Sequence, residues 1–157
     1  MNPPLRTHDD RAAVIGGLLD GTIDMVATDH APHSVADKQG DFRTAAFGIT
    51  GIETCFSLLY THFVNSGLAT LTQLQQWLVV APARAFNLKA PTTLATGMQA
   101  DIALFDLKHT HTITQNEFAS KAINSPFVGQ TVKGTTLMTI VDGKIVYDAS
   151  REGGHND

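Results

Sequence analysis

A short apolar segment at residues 22–28 constrains the fold of this chain more than any other feature. Turn-forming residues bound it on both sides, with Gly21 before it and Asp29 after it. A mostly apolar run of this length is typical of a strand that is buried on both faces of a parallel sheet. Helices cover such a sheet, so the segment predicts an α/β fold with a helix on either side of it.

Capping signals and apolar spacing predict the flanking helices. Thr7 is a candidate N-cap, Asp10 completes a capping box, and Gly21 ends the first helix. Thr70 and Gln73 form a second capping box before a further helix. Between these two, four apolar residues at helical spacing predict a helix that ends near residue 67: Ile52, Phe56, Leu59 and Phe63. A short helical turn is predicted over residues 82–86, because proline is tolerated in a first turn.

The chain becomes β-rich from about Lys89 onward. We predict strands over residues 100–107, 110–114, 135–141 and 144–147. Asp142 and Gly143 lie between the last two and are a strong signal for a tight hairpin turn. Residues 151–157 form a polar tail.

Composition and charge exclude several classes of protein. With 43% apolar and 17% charged residues in a chain of 157, we expect a soluble globular protein. The net charge of −4 gives no reason to expect nucleic acid or an anionic membrane as a partner. No apolar run approaches the roughly 20 residues that span a bilayer, and the N-terminus lacks the features of a signal peptide. Cys55, the single cysteine, excludes an intramolecular disulfide and suits a reducing cytoplasm.

The densest chemistry lies in Thr28-Asp29-His30-Ala31-Pro32-His33, where the predicted strand meets a loop. Ligands and catalytic groups collect at the C-terminal ends of strands in parallel α/β folds. An ionised Asp29 could bind a metal or move a proton, and the two histidines could bind an anion or a metal. Spacing alone is equally consistent with a surface turn that the aspartate side chain stabilises.

That segment resembles the sequence at the end of the last barrel strand in bacterial-type (class I) dihydroorotases of the amidohydrolase superfamily. Eight further segments resemble family patterns in the same order: Asn2-Pro3-Pro4-Leu5-Arg6, Asp20-Gly21-Thr22-Ile23-Asp24, Phe47-Gly48-Ile49, Gly51-Ile52-Glu53-Thr54, Pro82-Ala83-Arg84, Gly97-Met98-Gln99-Ala100-Asp101, Asn124-Ser125-Pro126-Phe127 and Val141-Asp142-Gly143-Lys144. The resemblance therefore covers nearly the whole chain.

The resemblance implies an activity and a role for several residues. Dihydroorotases reversibly hydrolyse dihydroorotate to N-carbamoyl-L-aspartate in pyrimidine synthesis, using zinc to polarise the amide and activate hydroxide. Asp29 would be a zinc ligand and the general acid and base. Asn2 would hydrogen-bond the substrate, His33 would bind its carboxylate, and the backbone at Phe47 and Gly48 would approach its ring. His30 matches no role in the family.

The resemblance also implies a fold and an incomplete site. Residues 1–90 would be the C-terminal part of a (β/α)8 barrel, comprising its last strand and flanking helices, and residues 91–150 would be the β-rich segment of a small composite sandwich. The family's other zinc ligands have no counterpart here and are expected upstream. His109 and His111 have the spacing of a metal-binding pair, but they lie in the β-rich half, so we interpret them as ordinary strand or turn residues.

An incomplete site has consequences for activity and association. We expect little or no turnover from the chain by itself, since one carboxylate cannot hold a binuclear site. The partners implied are a small-molecule substrate and the missing N-terminal part of the barrel. Unpaired strand edges also favour a homo-oligomer.

Two alternatives remain open at this point. One is a related cyclic amidohydrolase, such as a hydantoinase, dihydropyrimidinase or allantoinase. His33 and the segment that begins at Asn2 favour dihydroorotase, because the carboxylate of dihydroorotate needs a partner. The other is a non-catalytic folding or interaction module.

Two more residues have simpler interpretations. Cys55 is predicted to be an inert thiol, and Glu53 has either a supporting role in the site or an ordinary place on the helix surface.

Overall fold

Helices occupy the first part of the chain, and an antiparallel sheet occupies most of the rest. The structure is a computed structural model that describes residues 2–4 and 6–152. The helices are α1 (His8–Asp20), α2 (Val35–Lys38), α3 (Cys55–Leu59), α4 (Leu71–Gln75), α5 (Ala81–Ala85) and α6 (Ala149–Glu152), with a π-helical turn at Tyr60–Val64 directly after α3 and a short 3-10 turn at Gln115–Glu117. The strands are β1 (Ile102–Thr112), β2 (Thr131–Val141) and β3 (Lys144–Asp148). Leu5 and residues 153–157 of the predicted tail lie outside the described residues.

Local capping signals place α1 where the sequence predicts it. The Thr7 hydroxyl accepts a hydrogen bond from the Asp10 N–H at 3.1 Å, and the Asp10 carboxylate accepts one from the Thr7 N–H at 3.1 Å. Gly21 ends the helix in the left-handed conformation with φ 86°. Both ends of this predicted helix are confirmed, because each depends on contacts within a few residues.

The helix predicted from Thr70 continues farther than expected. The Thr70–Gln73 capping box is confirmed. Residues 71–85 then form one continuous run, in which α4 passes through a π-helical turn (Gln76–Val80) into α5. Pro82 lies in the first turn of α5, directly after the wider turn. A proline has no N–H and clashes with the carbonyl four residues earlier, and a π turn relieves both constraints. The predicted separate turn at residues 82–86 is therefore part of a longer helical run.

The prediction of a buried strand at residues 22–28 is wrong for the described structure. The segment is extended but belongs to no strand ladder, and Ile23 is 36% exposed. Its backbone contacts are a Val26 N–H that donates to the Trp77 carbonyl and an Ile23 N–H that donates to Gly17. A parallel strand is stabilised by neighbouring strands on both sides, and no described residue supplies one here.

The β-rich half forms a three-stranded sheet in the order β1-β2-β3. The strands predicted at 100–107 and 110–114 are one strand, β1, with a register shift between Asp106 and Thr110. The Asp106 carboxylate accepts hydrogen bonds from the N–H groups of Lys108 and His109 in this irregular stretch, at 2.8 and 3.0 Å. The hairpin between β2 and β3 is confirmed, and both turn residues have positive φ, 51° at Asp142 and 73° at Gly143. Residues 149–152 form α6, which includes the first two residues of the predicted polar tail.

Aromatic packing joins the helices to one another and to the sheet. Leu74 and Trp77 are 1% and 4% exposed and form a core with Leu18 and Ala69. Phe63 packs edge-on against Trp77, with ring centroids 5.6 Å apart. The ring of Phe56 in α3 stacks on Phe105 of β1, with ring centroids 3.6 Å apart. None of the helices in the described part of the chain is long and apolar enough to cross a bilayer.

Candidate functional site

Asp29 lies at the point where the extended segment turns into a loop. Its backbone is in the left-handed region, with φ 47°, and the residue is exposed. Aspartate adopts this conformation more readily than most residues. Within the described residues its carboxylate takes part in no hydrogen bond or ion pair, so both oxygens remain available to a ligand, a metal or a proton.

Backbone pairing brings the loop after Asp29 against a second loop at residues 47–52. His30 and Ile49 form an isolated parallel bridge, and the Ala31 N–H donates to the Ile49 carbonyl at 2.9 Å. The Nδ1 atom of His30 accepts a hydrogen bond from the Gly51 N–H at 3.1 Å. Because Nδ1 is an acceptor, this contact assigns the ring proton to Nε2. His30 thus holds the second loop, a role that sequence analysis did not find.

Gly48 and His33, two of the predicted substrate-binding residues, lie close together. Gly48 is buried, with φ 124°. A Cβ atom at this position would lie 3.1 Å from Nε2 of His33 and 2.5 Å from the Cβ of Ala31. The position therefore requires glycine, both for its backbone angle and for the closeness of the first loop. Phe47, the neighbouring predicted residue, is 60% exposed.

Two side chains hold the Gly48 carbonyl from different parts of the chain. The ammonium of Lys38 donates to it at 2.8 Å and also donates to the Ala46 carbonyl at 2.7 Å. The amide Nδ2 of Asn124 donates to the same Gly48 oxygen at 3.1 Å. Asn124 also accepts, through Oδ1, a hydrogen bond from the His33 N–H at 3.2 Å. The segment around Asn124 resembles a family pattern, but the sequence alone indicates no role for the residue.

Asn2 is the predicted site residue that the structure does not bring to this cluster. It is exposed, and among the described residues no hydrogen bond joins it to Asp29, His33 or Gly48. Hydrogen bonds between the two loops join His30 and Ala31 to Ile49 and Gly51, His33 lies close to Gly48, and Asp29 lies at the start of the first loop.

Glu53 anchors a distant segment of backbone. Its carboxylate accepts hydrogen bonds from the backbone N–H groups of Ala119 and Ser120, at 2.7 and 3.2 Å. These contacts fix the segment that leads to Asn124 at the start of α3. Glu53 is exposed, but it anchors chain that is 66 and 67 residues away.

Near the two loops, the pKa values of Asp37 and Cys55 are shifted in opposite directions. The hydroxyl and the backbone N–H of Ser34 hydrogen-bond Asp37 and lower the pKa of its carboxyl below the ordinary value. This pair caps α2, the helix whose last residue is Lys38. Burial raises the pKa of the Cys55 thiol. A raised pKa keeps the thiol protonated, in agreement with the predicted inert cysteine.

The metal-binding capacity of the described residues is limited. Across residues 2–4 and 6–152, no three His, Cys, Asp or Glu side chains are grouped so that they could hold a metal ion. Asp29 is chemically suited to be one donor, but a zinc site needs about four. His109 and His111 stack with ring centroids 6.2 Å apart, and the His111 Nδ1 is 3.0 Å from the Thr135 hydroxyl. His111 is thus tied to the sheet, while His109 is exposed.

Comparison with known proteins identifies the family. The amidohydrolase family profile matches residues 2–146. The dihydroorotase of Pediococcus pentosaceus is 57% identical over 153 residues, which are 98% of this chain and 36% of that protein. The dihydroorotase of Ligilactobacillus salivarius is 54% identical over 147 residues, covering 94% of this chain and 34% of that protein. The chain therefore spans about a third of the length of the curated relatives it matches.

Solved structures of related enzymes share the fold. The D-hydantoinase of Bacillus sp. AR9 superposes with a TM-score of 0.86 at 27% identity, and the alignment covers 93% of this chain and 33% of that one. The L-hydantoinase of Arthrobacter aurescens gives a TM-score of 0.85 at 31% identity, with the same coverage. On this evidence the chain belongs to the amidohydrolase family, and over nearly its whole length its sequence is dihydroorotase-like.

Proposed function

We propose that this chain supplies the proton-transfer residue and part of the substrate site of a dihydroorotase. The reaction is the reversible, zinc-dependent hydrolysis of dihydroorotate to N-carbamoyl-L-aspartate in cytoplasmic pyrimidine synthesis. The observation that carries the proposal is the closeness of His33 to Gly48 on loops that are hydrogen-bonded to each other, directly after the exposed carboxylate of Asp29. These residues come together from the segments on which the resemblance to dihydroorotases rests.

Asp29 is the proposed general acid and base. In the hydrolytic direction its carboxylate takes the proton from the attacking water or hydroxide as the C–O bond forms. It then gives that proton to the ring nitrogen as the C–N bond breaks, which requires a group near both atoms. Asp29 has no competing hydrogen bond within the described part of the chain, and this supports the assignment. It is also the proposed donor to zinc from this chain, and the other donors would come from outside the described residues.

His33, Phe47, Gly48 and Asn2 are the proposed substrate-binding residues. The ring of His33 would hold the substrate carboxylate, since an imidazole can donate a hydrogen bond to an anion. The backbone at Phe47 and Gly48 would approach the ring of the substrate, and the amide of Asn2 would pair with its imide edge. The closeness of Gly48 to His33 supports this set, whereas Asn2 rests on the resemblance alone.

The proposal includes the architecture of the complete enzyme. Residues 1–90 would be part of a (β/α)8 barrel and residues 91–150 part of a small sandwich, with the polar residues 151–157 beyond it. Large apolar side chains that are exposed here, among them Ile52 at 62% and Val146 at 62%, support further packing against the rest of such an enzyme. That remaining part, on the same or another chain, is the main proposed partner, and association of identical copies is the second.

Hydantoin or dihydropyrimidine hydrolysis is the second candidate function. The superpositions on hydantoinases, with TM-scores of 0.85 and 0.86, favour it. Sequence identity favours dihydroorotase, at 57% against 31% and 27%. The two classes of substrate differ in the carboxylate for which His33 is the proposed partner. A comparison of carboxylated and uncarboxylated rings therefore separates them.

The test combines the chain with the remaining two thirds of a dihydroorotase and measures hydrolysis of dihydroorotate and of dihydrouracil. We expect turnover of dihydroorotate alone, and His33→Ala should raise its KM by about tenfold, the effect of losing one charged hydrogen bond. His62→Ala, an exposed histidine on the turn after α3, is the matched control and should leave the KM unchanged. Preference for dihydrouracil would support the hydantoinase class. No turnover of either substrate by a folded complex would support a non-catalytic module.

A further inference from the structure

The hydrogen bonds of Asn124 connect three points on the two loops of the candidate site. Its Nδ2 donates to the Gly48 carbonyl at 3.1 Å, and its Oδ1 accepts from the His33 N–H at 3.2 Å. Its backbone carbonyl accepts a third bond, from the Thr50 N–H, at 3.1 Å. Asn124 is 91 residues from His33 and 76 from Gly48 along the chain. The β-rich half of the molecule thus reaches back to the loops that follow Asp29.

We infer that Asn124 is a positioning residue that fixes His33 and Gly48 relative to each other. The inference deepens the proposed function and rests on it for the roles of these two residues. A carboxamide suits the task because it carries a donor and an acceptor on one planar group. Aspartate would keep the acceptor but lose the donor, and alanine would lose both. Neither Lys38 nor His30 substitutes for it, since the Lys38 ammonium donates to Gly48 and Ala46, and His30 reaches the loop beyond Gly48.

The segment that carries Asn124 is itself held in place. Glu53 binds the backbone at Ala119 and Ser120, and the Ser120 hydroxyl accepts a hydrogen bond from the N–H of Ala122, which is 7% exposed. Beyond Asn124, the Ser125 N–H donates to the Ile123 carbonyl at 2.9 Å, which closes a tight turn. A side chain that is presented from an anchored segment can position its partners, because its own freedom is already restricted.

The exchange of individual backbone amides in this chain tests the inference without any enzyme assay. In Asn124→Ala the His33 N–H loses its acceptor, so its exchange with solvent should accelerate by about tenfold, as for one lost hydrogen bond. The Thr50 N–H keeps its bond to the backbone carbonyl of residue 124, so its exchange should change little. Asn116→Ala, at an exposed asparagine in the 3-10 turn, is the matched control and should affect neither amide. Unchanged exchange at His33 in a folded Asn124→Ala protein would overturn the inference.

If Asn124→Ala does not fold, Asn124→Asp tests the positioning role of Asn124 instead. This variant keeps the acceptor for His33 and removes the donor to Gly48. The His33 amide should therefore stay protected, while the carbonyl carbon resonance of Gly48 shifts. A Gly48 resonance that does not move would contradict the inference.

Activity separates failure of this inference from failure of the proposed function. In the complemented enzyme, Asn124→Ala should raise the KM for dihydroorotate more than it lowers kcat, because His33, the proposed carboxylate partner, loses its backbone acceptor while Asp29 is untouched. A wild-type complex without turnover, combined with the expected exchange pattern, would refute the proposed function and leave the positioning role intact. A variant with a lowered kcat and an unchanged KM would count against positioning of His33.

Discussion

At the scale of the residue, Gly48 shows how closely the two loops of the site approach each other. Its φ of 124° lies in the region that disfavours side chains, and a Cβ there would meet both the Cβ and the carbonyl oxygen of Ala31, at 2.5 and 2.9 Å. The backbone of Ala31 cannot move away freely, because its N–H is bonded to the Ile49 carbonyl. A side chain at position 48 would therefore separate the loop of His33 from the loop of Gly48.

Gly48→Ala should accordingly destabilise the chain by more than backbone strain alone explains. Gly129→Ala is the matched control, since Gly129 also has positive φ, 88°, but no atom of the described residues lies within 4 Å of an added Cβ. We expect Gly129→Ala to lower the free energy of unfolding by about 1 kcal/mol and Gly48→Ala to lower it by about 1–3 kcal/mol more. Urea unfolding of the two variants measures the difference. Equal losses would show that the loops are not in close contact.

At the scale of the element, the capping pair Ser34–Asp37 fixes α2 and thereby the position of Lys38. The Asp37 carboxylate accepts hydrogen bonds from the hydroxyl and the N–H of Ser34, at 2.7 and 3.2 Å. These bonds favour the charged carboxylate and lower the pKa of Asp37 in the folded chain. The pair therefore stabilises the folded state above the ordinary carboxyl range, near pH 4, and this contribution is lost as the pH falls through the lowered pKa.

Asp37→Asn tests that pH dependence. The wild type should be more stable than the variant by a constant margin above about pH 5, and the margin should shrink as the pH falls below about 4. Ser34→Ala removes the hydroxyl that donates to Asp37. Its stability should therefore depend less on pH over the same range than that of the wild type. Urea unfolding at a series of pH values gives the comparison. Stability curves of wild type and Asp37→Asn that stay parallel down to about pH 3 would contradict the assigned cause of the lowered pKa.

The elements also show what sequence could and could not predict. The caps at Thr7 and Thr70 and the hairpin at Asp142-Gly143 were predictable because each depends on bonds between residues close in sequence. Residues 22–28 have the composition of a buried strand, but a strand forms only where a partner lies beside it. The hydrogen-bond partners of Asn124, Gly48 and His33, are 76 and 91 residues away along the chain, so no local sequence pattern could reveal these contacts. The resemblance to dihydroorotases includes the segment that begins at Asn124, but it does not indicate a role for that residue.

At the scale of the whole molecule, a small core connects the helices, while much apolar surface stays exposed. Leu74 is 1% exposed and packs in the core with Leu18 and Trp77. Leu94, in contrast, is 82% exposed. A core that contains few fully buried residues gives each of them a large share of the stability.

Leu74→Ala should lower the free energy of unfolding by about 2–5 kcal/mol, because it removes buried apolar surface and leaves a cavity beside Trp77. Leu94→Ala, the same substitution at an exposed position, should change it by less than about 0.5 kcal/mol. Denaturant titration followed by Trp77 fluorescence measures both. Similar effects of the two substitutions would show that residues 71–85 do not pack as described.

The most direct test of the proposed function is dihydroorotate hydrolysis by Asp29→Asn, in complex with the remaining two thirds of a dihydroorotase. Asparagine has nearly the shape of aspartate but cannot carry the proton, so kcat should fall by about 10²–10⁴-fold, the usual contribution of a general acid or base. Assembly of the complex, followed by its elution in size-exclusion chromatography, should match the wild type. A folded Asp29→Asn complex that retains wild-type turnover would contradict the assignment of Asp29 as the proton-transfer residue of this chain.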